Sequence, residues 1–272
     1  MENKGPIFKD KDIEDFLDIH FYHPLGYKFA LFFSKLDLTP NMVSFMSMIF
    51  GVLGGMLIYH SMDISASIFI IFASVLDSSD GQLARISNRT SVYGRIIDGL
   101  VGYIMFASIY LAIFFRNPKI SFLILMIIAG VSNAIHSSVY DFYRTAYLSV
   151  LRKKYSDFSP LQNGGFLSKI YDFYSSYQRF LCRYHIIFIK NLVENKKEID
   201  DNKIPIYKKK MLSNIQFINL LGDNWKINGV LFLSIINRVD WFFYYIIFIM
   251  NVVFAFVIIR QRKIDLEIIS EV

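Results

Sequence analysis

Residues Asp77 to Asp98 read DSSDGQLARISNRTSVYGRIID, and the apolar runs on either side of them decide what fold this chain can adopt. Upstream lies ISASIFIIFASVL, residues 64–76; downstream lies an equally apolar run from Gly99 to Phe115. Three carboxylates, Asp77, Asp80 and Asp98, therefore stand at the edges of membrane-like segments. An ionised Asp in such a setting costs roughly 3 kcal/mol unless something pairs it, so these groups point to function. Asp77 and Asp80 are three residues apart and share one face of a helix. Gly81 and Arg85 are four apart on the neighbouring face. Gly81 leaves room for close backbone approach, and Arg85 is a planar donor suited to phosphate oxygens. Ser87 to Thr90 break the helical pattern, and a new helix beginning near Gly94 carries Asp98. Carboxylates from two antiparallel helices can hold a hard divalent cation, which in turn can hold a phosphate.

The full string reads Asp77, Asp80-Gly81, Ala84-Arg85, then Gly94 and Asp98 at fixed offsets. It resembles the signature of the CDP-alcohol phosphotransferase family, D-x-x-D-G-x-x-A-R-(x8)-G-x-x-x-D-x-x-x-D. Every position matches except the last, where this chain has Gly102. A lone D-x-x-D-G is common in soluble proteins; the longer match is far more specific.

The chain has 272 residues, 54% hydrophobic and 17% aromatic, with mean hydropathy +0.39, values of a membrane protein. Formal net charge is +6. The basic residues flank apolar segments instead of forming one soluble face, which argues against nucleic acid and for topology determinants and headgroup contacts. A single cysteine, Cys182, excludes an intramolecular disulfide framework. The first twenty residues are charged and lack the apolar core of a signal peptide.

The pattern predicts an all-α polytopic membrane protein with about six transmembrane helices, preceded by an interfacial amphipathic helix. Residues 1–37 form the N-terminal segment, in which Phe16, Leu17, Phe21, Leu25, Phe29, Phe32 and Phe33 make an apolar face and Pro24-Leu25-Gly26 a kink. His20 and His23 read as wet-interface residues before they read as a metal pair. Residues 38–150 hold the first four spans and the motif. Thr39 caps the first of them and Pro40 fits its first turn, and Gly51, Gly54 and Gly55 permit close helix packing. Residues 151–210 form a basic, aromatic insert lying against the membrane surface. Residues 211–263 carry the last two spans, the fifth of them weakly marked within 211–238, with a break at Gly222-Asp223-Asn224. The Lys/Arg distribution places both termini, the insert and the motif on the cytoplasmic side, as expected of a bacterial inner membrane protein.

The resemblance implies a reaction. A CDP-linked donor, CDP-diacylglycerol or a CDP-headgroup, is attacked by an alcohol or lipid hydroxyl, and CMP leaves. Mg²⁺ or Mn²⁺ would be held by Asp77, Asp80 and Asp98, with Gly81, Ala84, Arg85 and Gly94 shaping the nucleotide pocket. The family's fourth aspartate is taken as the base, and Gly102 has no side chain to serve. His136 and Asp141, at the polar end of the fourth span, are candidate replacements. Alternatives are an acceptor that needs little help from a base, for instance one already ionised, and a catalytically silent protein that binds CDP-lipid. Arg144 and the aromatic residues around it either line an acceptor site or belong to an interfacial belt. The resemblance is also compatible with a homodimer, which glycine-rich faces permit.

Overall fold

A computed structural model describes residues 5–6, 10–89, 92–153, 178, 180–194 and 201–271; at 92–93, 95–98 and 192–194 it describes the backbone alone. Much of the 151–210 insert, residues 154–177, 179 and 195–200, thus lies outside the described residues. Every regular element described is helical. In chain order, α1 is His23–Lys35, α2 Pro40–Tyr59, α3 Asp63–Ile86, α4 Val92–Arg116, α5 Ile120–Leu151, α6 Arg183–Glu194, α7 Ile204–Asn219, α8 Asp223–Ile235 and α9 Asn251–Glu271. A π-helical turn, Tyr245–Met250, leads directly into α9.

Five stretches are long and apolar enough to cross a membrane: α2, α3, Gly99–Arg116 of α4, α5, and Val239–Glu271. The protein is a polytopic membrane protein. The weakly marked segment within 211–238 is divided between α7 and α8, because the helix ends at Asn219 and restarts at Asp223. Exposed apolar side chains follow helical stripes, such as Phe45, Ile49, Leu53 and Met56 on α2. Such faces suit lipid, where no hydrophobic force drives helices together and close packing must do so instead.

The chain divides into two compact units. The first comprises Met1–Ser132 and Asp223–Phe248. In it, α3 is the central helix, packed against α1, α2 and α8. The Thr39 side chain accepts from the Met42 amide at 3.4 Å, starting α2 where the Thr-Pro pair places it. A Cβ on Gly54 would come within 2.6 Å of Ile70 Cγ1, and one on Gly55 within 2.9 Å of the Ser108 carbonyl carbon. These glycines therefore set how closely α2 approaches α3 and α4. Ala30, Phe33, Val43, Leu76 and Leu83 form an apolar cluster joining α1, α2 and α3. At the end remote from the motif, Arg116 Nη1 meets Asp63 Oδ1 at 2.7 Å. Asn237 turns the chain with φ of 52°, as the polar stretch 237–240 suggests.

The N-terminal segment packs against α3. Helical backbone runs without a break from Phe16 to Lys35, so Pro24-Leu25-Gly26 lies inside a helical run and not at a helix start. A π-helical turn at Asp18–Tyr22 precedes α1. Gly26 presses on α3 so tightly that a Cβ there would lie 2.8 Å from Ser78 Oγ.

The second unit comprises Asn133–Gly222 and Ile249–Val272. Its centre is a buried polar network. Asp265 accepts from Tyr143 at 3.1 Å and from Gln261 at 2.8 Å, and lies 2.9 Å from His185 Nδ1. The Tyr207 hydroxyl lies 3.3 Å from His185 Nε2. Buried polar groups are tolerated when each finds such partners.

Candidate active site

The site grows from the last three turns of α3. Asp80 is 5% exposed, and Asp77, one turn earlier on the same face, is half-buried. Ser44 of α2 donates its hydroxyl to Asp80 Oδ2. Thr39 and Pro40 start α2, and so place Ser44 one turn in, at the height of Asp80. The neighbour of Asp77 is held from the other side: His23 Nδ1 lies 2.9 Å from Ser78 Oγ. The carboxylate-bearing turn is thus clamped between α1 and α2. A buried carboxylate with hydrogen-bond support keeps its charge only where donors or a cation offset desolvation.

Arg85 lies in the final turn of α3, where the helix dipole favours a cation. Its guanidinium folds back over Gly81: a Cβ there would meet Nη1 at 3.5 Å and Nη2 at 3.6 Å. Gly81 thereby keeps open the space between the guanidinium and the helix. Ala84 and Gly94 are both half-buried. Asp98 lies in α4, and its side chain is outside the described residues. The chemistry of the described donors, two carboxylates one turn apart, fits a hard divalent cation.

Gly102 stands one turn beyond Asp98 on α4. Among the described residues, a Cβ on Gly102 would have one neighbouring heavy atom within 4 Å, Asp223 Oδ2 at 3.8 Å. Asp223 opens α8, where the helix N-terminus favours negative charge. Its Oδ1 accepts from Lys226 Nζ at 2.9 Å, and Lys226 is fully buried, with its ammonium 5.7 Å from the Phe106 ring centre. Next to it, Asn224 donates to Asp18 at 2.9 Å and Asp15 at 3.3 Å. Burial pushes the Asp15 carboxyl up, against the Asn224 hydrogen bond that lowers it. Glu14, Asp18 and His23 bring ligand atoms within 4.8 Å of one another, a second acidic group beside the motif. His20 takes no part in it; its Nδ1 lies 2.9 Å from the Phe16 carbonyl.

The candidate bases belong to the second unit. His136 is fully buried, its Nε2 2.8 Å from Asn251 Oδ1 and its ring 5.2 Å from Phe254. Asp141 is exposed. Arg144 donates to Asn219 at 3.1 Å and stacks over Tyr140, and Tyr147 packs on Tyr207. The Tyr143, Arg144 and Tyr147 side chains thus make packing contacts within their own unit.

Sequence reading does not single out Ser44, His23 as a partner of Ser78, or Asp223. Ser44 carries a faint signal, a hydroxyl one turn into an uncharged span after a Thr-Pro start. Asp223 carries one as the acidic residue at a helix restart.

A membrane-embedded helical bundle with paired carboxylates and a helix-terminal arginine suits the class of proteins that handle phosphate esters at the bilayer. The CDP-alcohol phosphatidyltransferase family model matches residues 37–185, more than half of the chain, and the protein belongs to that family. No curated protein and no solved structure matches it. Family membership makes it a transferase of lipid synthesis, moving a phospho-alcohol group from a CDP-alcohol to an alcohol acceptor in the membrane.

Proposed function

We propose that the protein transfers a phospho-alcohol group from a CDP-linked donor to an alcohol or lipid acceptor, releasing CMP, in phospholipid or sphingolipid headgroup synthesis. Asp77, Asp80 and Asp98 hold Mg²⁺ or Mn²⁺. When bound, the cation neutralises the diphosphate and stabilises the leaving phosphate. Arg85 binds phosphate oxygens, and Gly81, Ala84 and Gly94 leave the backbone close to the nucleotide. The acceptor oxygen attacks phosphorus, and positioning and charge neutralisation supply most of the rate. The observation that carries this reading is the pairing of a nearly buried Asp80, supported by Ser44, with Asp77 on the same face. With Lys and Arg richer at the motif end, the site and both termini face the cytoplasm of a bacterial inner membrane. A homodimer is the assembly this reading expects.

The test is CMP release by purified protein in detergent with Mg²⁺ or Mn²⁺. CDP-diacylglycerol and a panel of CDP-headgroups are offered against mixed alcohol, diacylglycerol and ceramide acceptors. Release that vanishes in Asp77→Asn and Asp80→Asn supports the reading, and the active pair names donor and acceptor. Metal-dependent CDP binding without release from any pair replaces it with the silent, CDP-lipid-binding alternative.

A further inference from the structure

The geometry points to Asp223 as the general base of the transfer, a carboxylate delivered from α8 into the place that Gly102 leaves open on α4. The inference rests on the transferase reading above. An attacking hydroxyl must shed its proton, and a carboxylate near the metal-binding face is the group to receive it. Gly102 lies one turn beyond Asp98 on α4, and Asp223 Oδ2 is 3.8 Å from where its Cβ would be. A carboxylate at that spot thus reaches the same region whether it is rooted in α4 or in α8.

Asp223 is also built to stay there and stay accessible. Its side chain is 46% exposed, while its partner Lys226 is fully buried, so one carboxylate oxygen is fixed by the ammonium and Oδ2 faces Gly102. Asn224, the next residue, is tied to Asp15 and Asp18 of the N-terminal segment, which pins the start of α8. Gly102, Phe106 and Tyr110 are spaced four apart and form one stripe of α4. Asp223 meets the first position of that stripe and Lys226 the second. A Cβ on Gly102 would stand in ordinary van der Waals contact with Asp223 Oδ2, so a short side chain at 102 and the α8 carboxylate address the same space.

In the step, the acceptor's O–H proton passes to the Asp223 carboxylate as the acceptor oxygen bonds to phosphorus. The bond from that phosphorus to the CMP oxygen breaks, and its electron pair leaves with CMP. The proton then passes from Asp223 to water.

The experiment compares wild type, D223N, K226M, D223N/K226M and G102D/D223N, using the donor–acceptor pair that wild type turns over. Thermal midpoint and calorimetric binding of CDP with Mn²⁺ are measured alongside. D223N is expected to lower kcat about 100- to 1,000-fold while CDP binding and donor KM stay within about threefold. Because D223N leaves Lys226 without its carboxylate, the double variant D223N/K226M removes both charges and is expected to keep the thermal midpoint near that of wild type. It should be as inactive as D223N, whereas K226M alone keeps kcat within about tenfold. G102D/D223N, which moves the carboxylate to α4, should recover at least about tenfold over D223N. If D223N/K226M turns over within about threefold of K226M, the inference is overturned and the transferase reading stands. A wild-type chain that binds CDP with Mn²⁺ and releases no CMP overturns both.

Discussion

The two halves of the motif are built in different ways. The first, Asp77 to Arg85, lies within one helix, and its geometry is set by helical period: carboxylates three apart, glycine and arginine four apart. Neighbouring helices only tighten it, Ser44 from α2 and His23 from α1. The second half is shared. Gly102 of α4 contributes an opening, and the carboxylate beside it arrives from the first turn of α8. If Asp223 is the base, as proposed, the site keeps its charge pattern in space while losing it in sequence. On that proposal, a motif read residue by residue misses a group carried by another helix.

The largest effect should fall on the locally built half. Asp77→Asn and Asp80→Asn are each expected to cut CMP release by more than about 1,000-fold, because charge neutralisation at phosphorus supplies most of the catalysis. Residual activity above about one part in ten would break the comparison at its firmer end.

Next comes the support of that half. Ser44→Ala leaves buried Asp80 short of a donor. It should cost about 1–3 kcal/mol of stability, read as a lower thermal midpoint, and about tenfold in activity. Gly55→Ala tests packing alone: its new Cβ meets the Ser108 backbone at 2.9 Å, so α2 and α4 must part. A loss of about 1–3 kcal/mol is expected with CDP binding intact in the folded fraction.

Smaller still is the effect expected of His136→Gln. His136 is buried against Asn251 and Phe254, and Gln can keep a hydrogen bond to Asn251. CMP release should stay within about threefold. A drop as large as that of D223N would return the base to α5 and dissolve the contrast between the two halves.

The smallest effect concerns Cys182, which is 1% exposed with its thiol pKa raised by burial. A raised pKa lowers the thiolate fraction at every pH below it, and that fraction climbs only tenfold per pH unit. Maleimide at pH 8 should leave the folded protein unlabelled and fully active, with labelling appearing on denaturation.

Much of this was legible in the sequence because it depends on neighbours along the chain. Hydropathy and helical period locate α2, α3, α4 and α5, Thr39-Pro40 starts α2, and the glycines of α2 announce close packing. The spacing of Asp77, Asp80, Gly81 and Arg85 places them on one helix end, and the match of Asp77 to Asp98 to a known signature carries the family. Less legible was the N-terminal segment, whose aromatic face looks like a lipid contact until Gly26 and His23 are seen against Ser78. The segment within 211–238 was ambiguous because a polar restart at Asp223 interrupts its apolar run.

What the sequence alone determined is the helical membrane architecture and the metal-suited carboxylate pair, since burial of apolar length and the turn of a helix act over a few residues. What only the tertiary structure decided is which side chain stands opposite Gly102 and which donor reaches Asp80. Those pairings depend on the depth and rotation at which distant helices pack, and no local period encodes them.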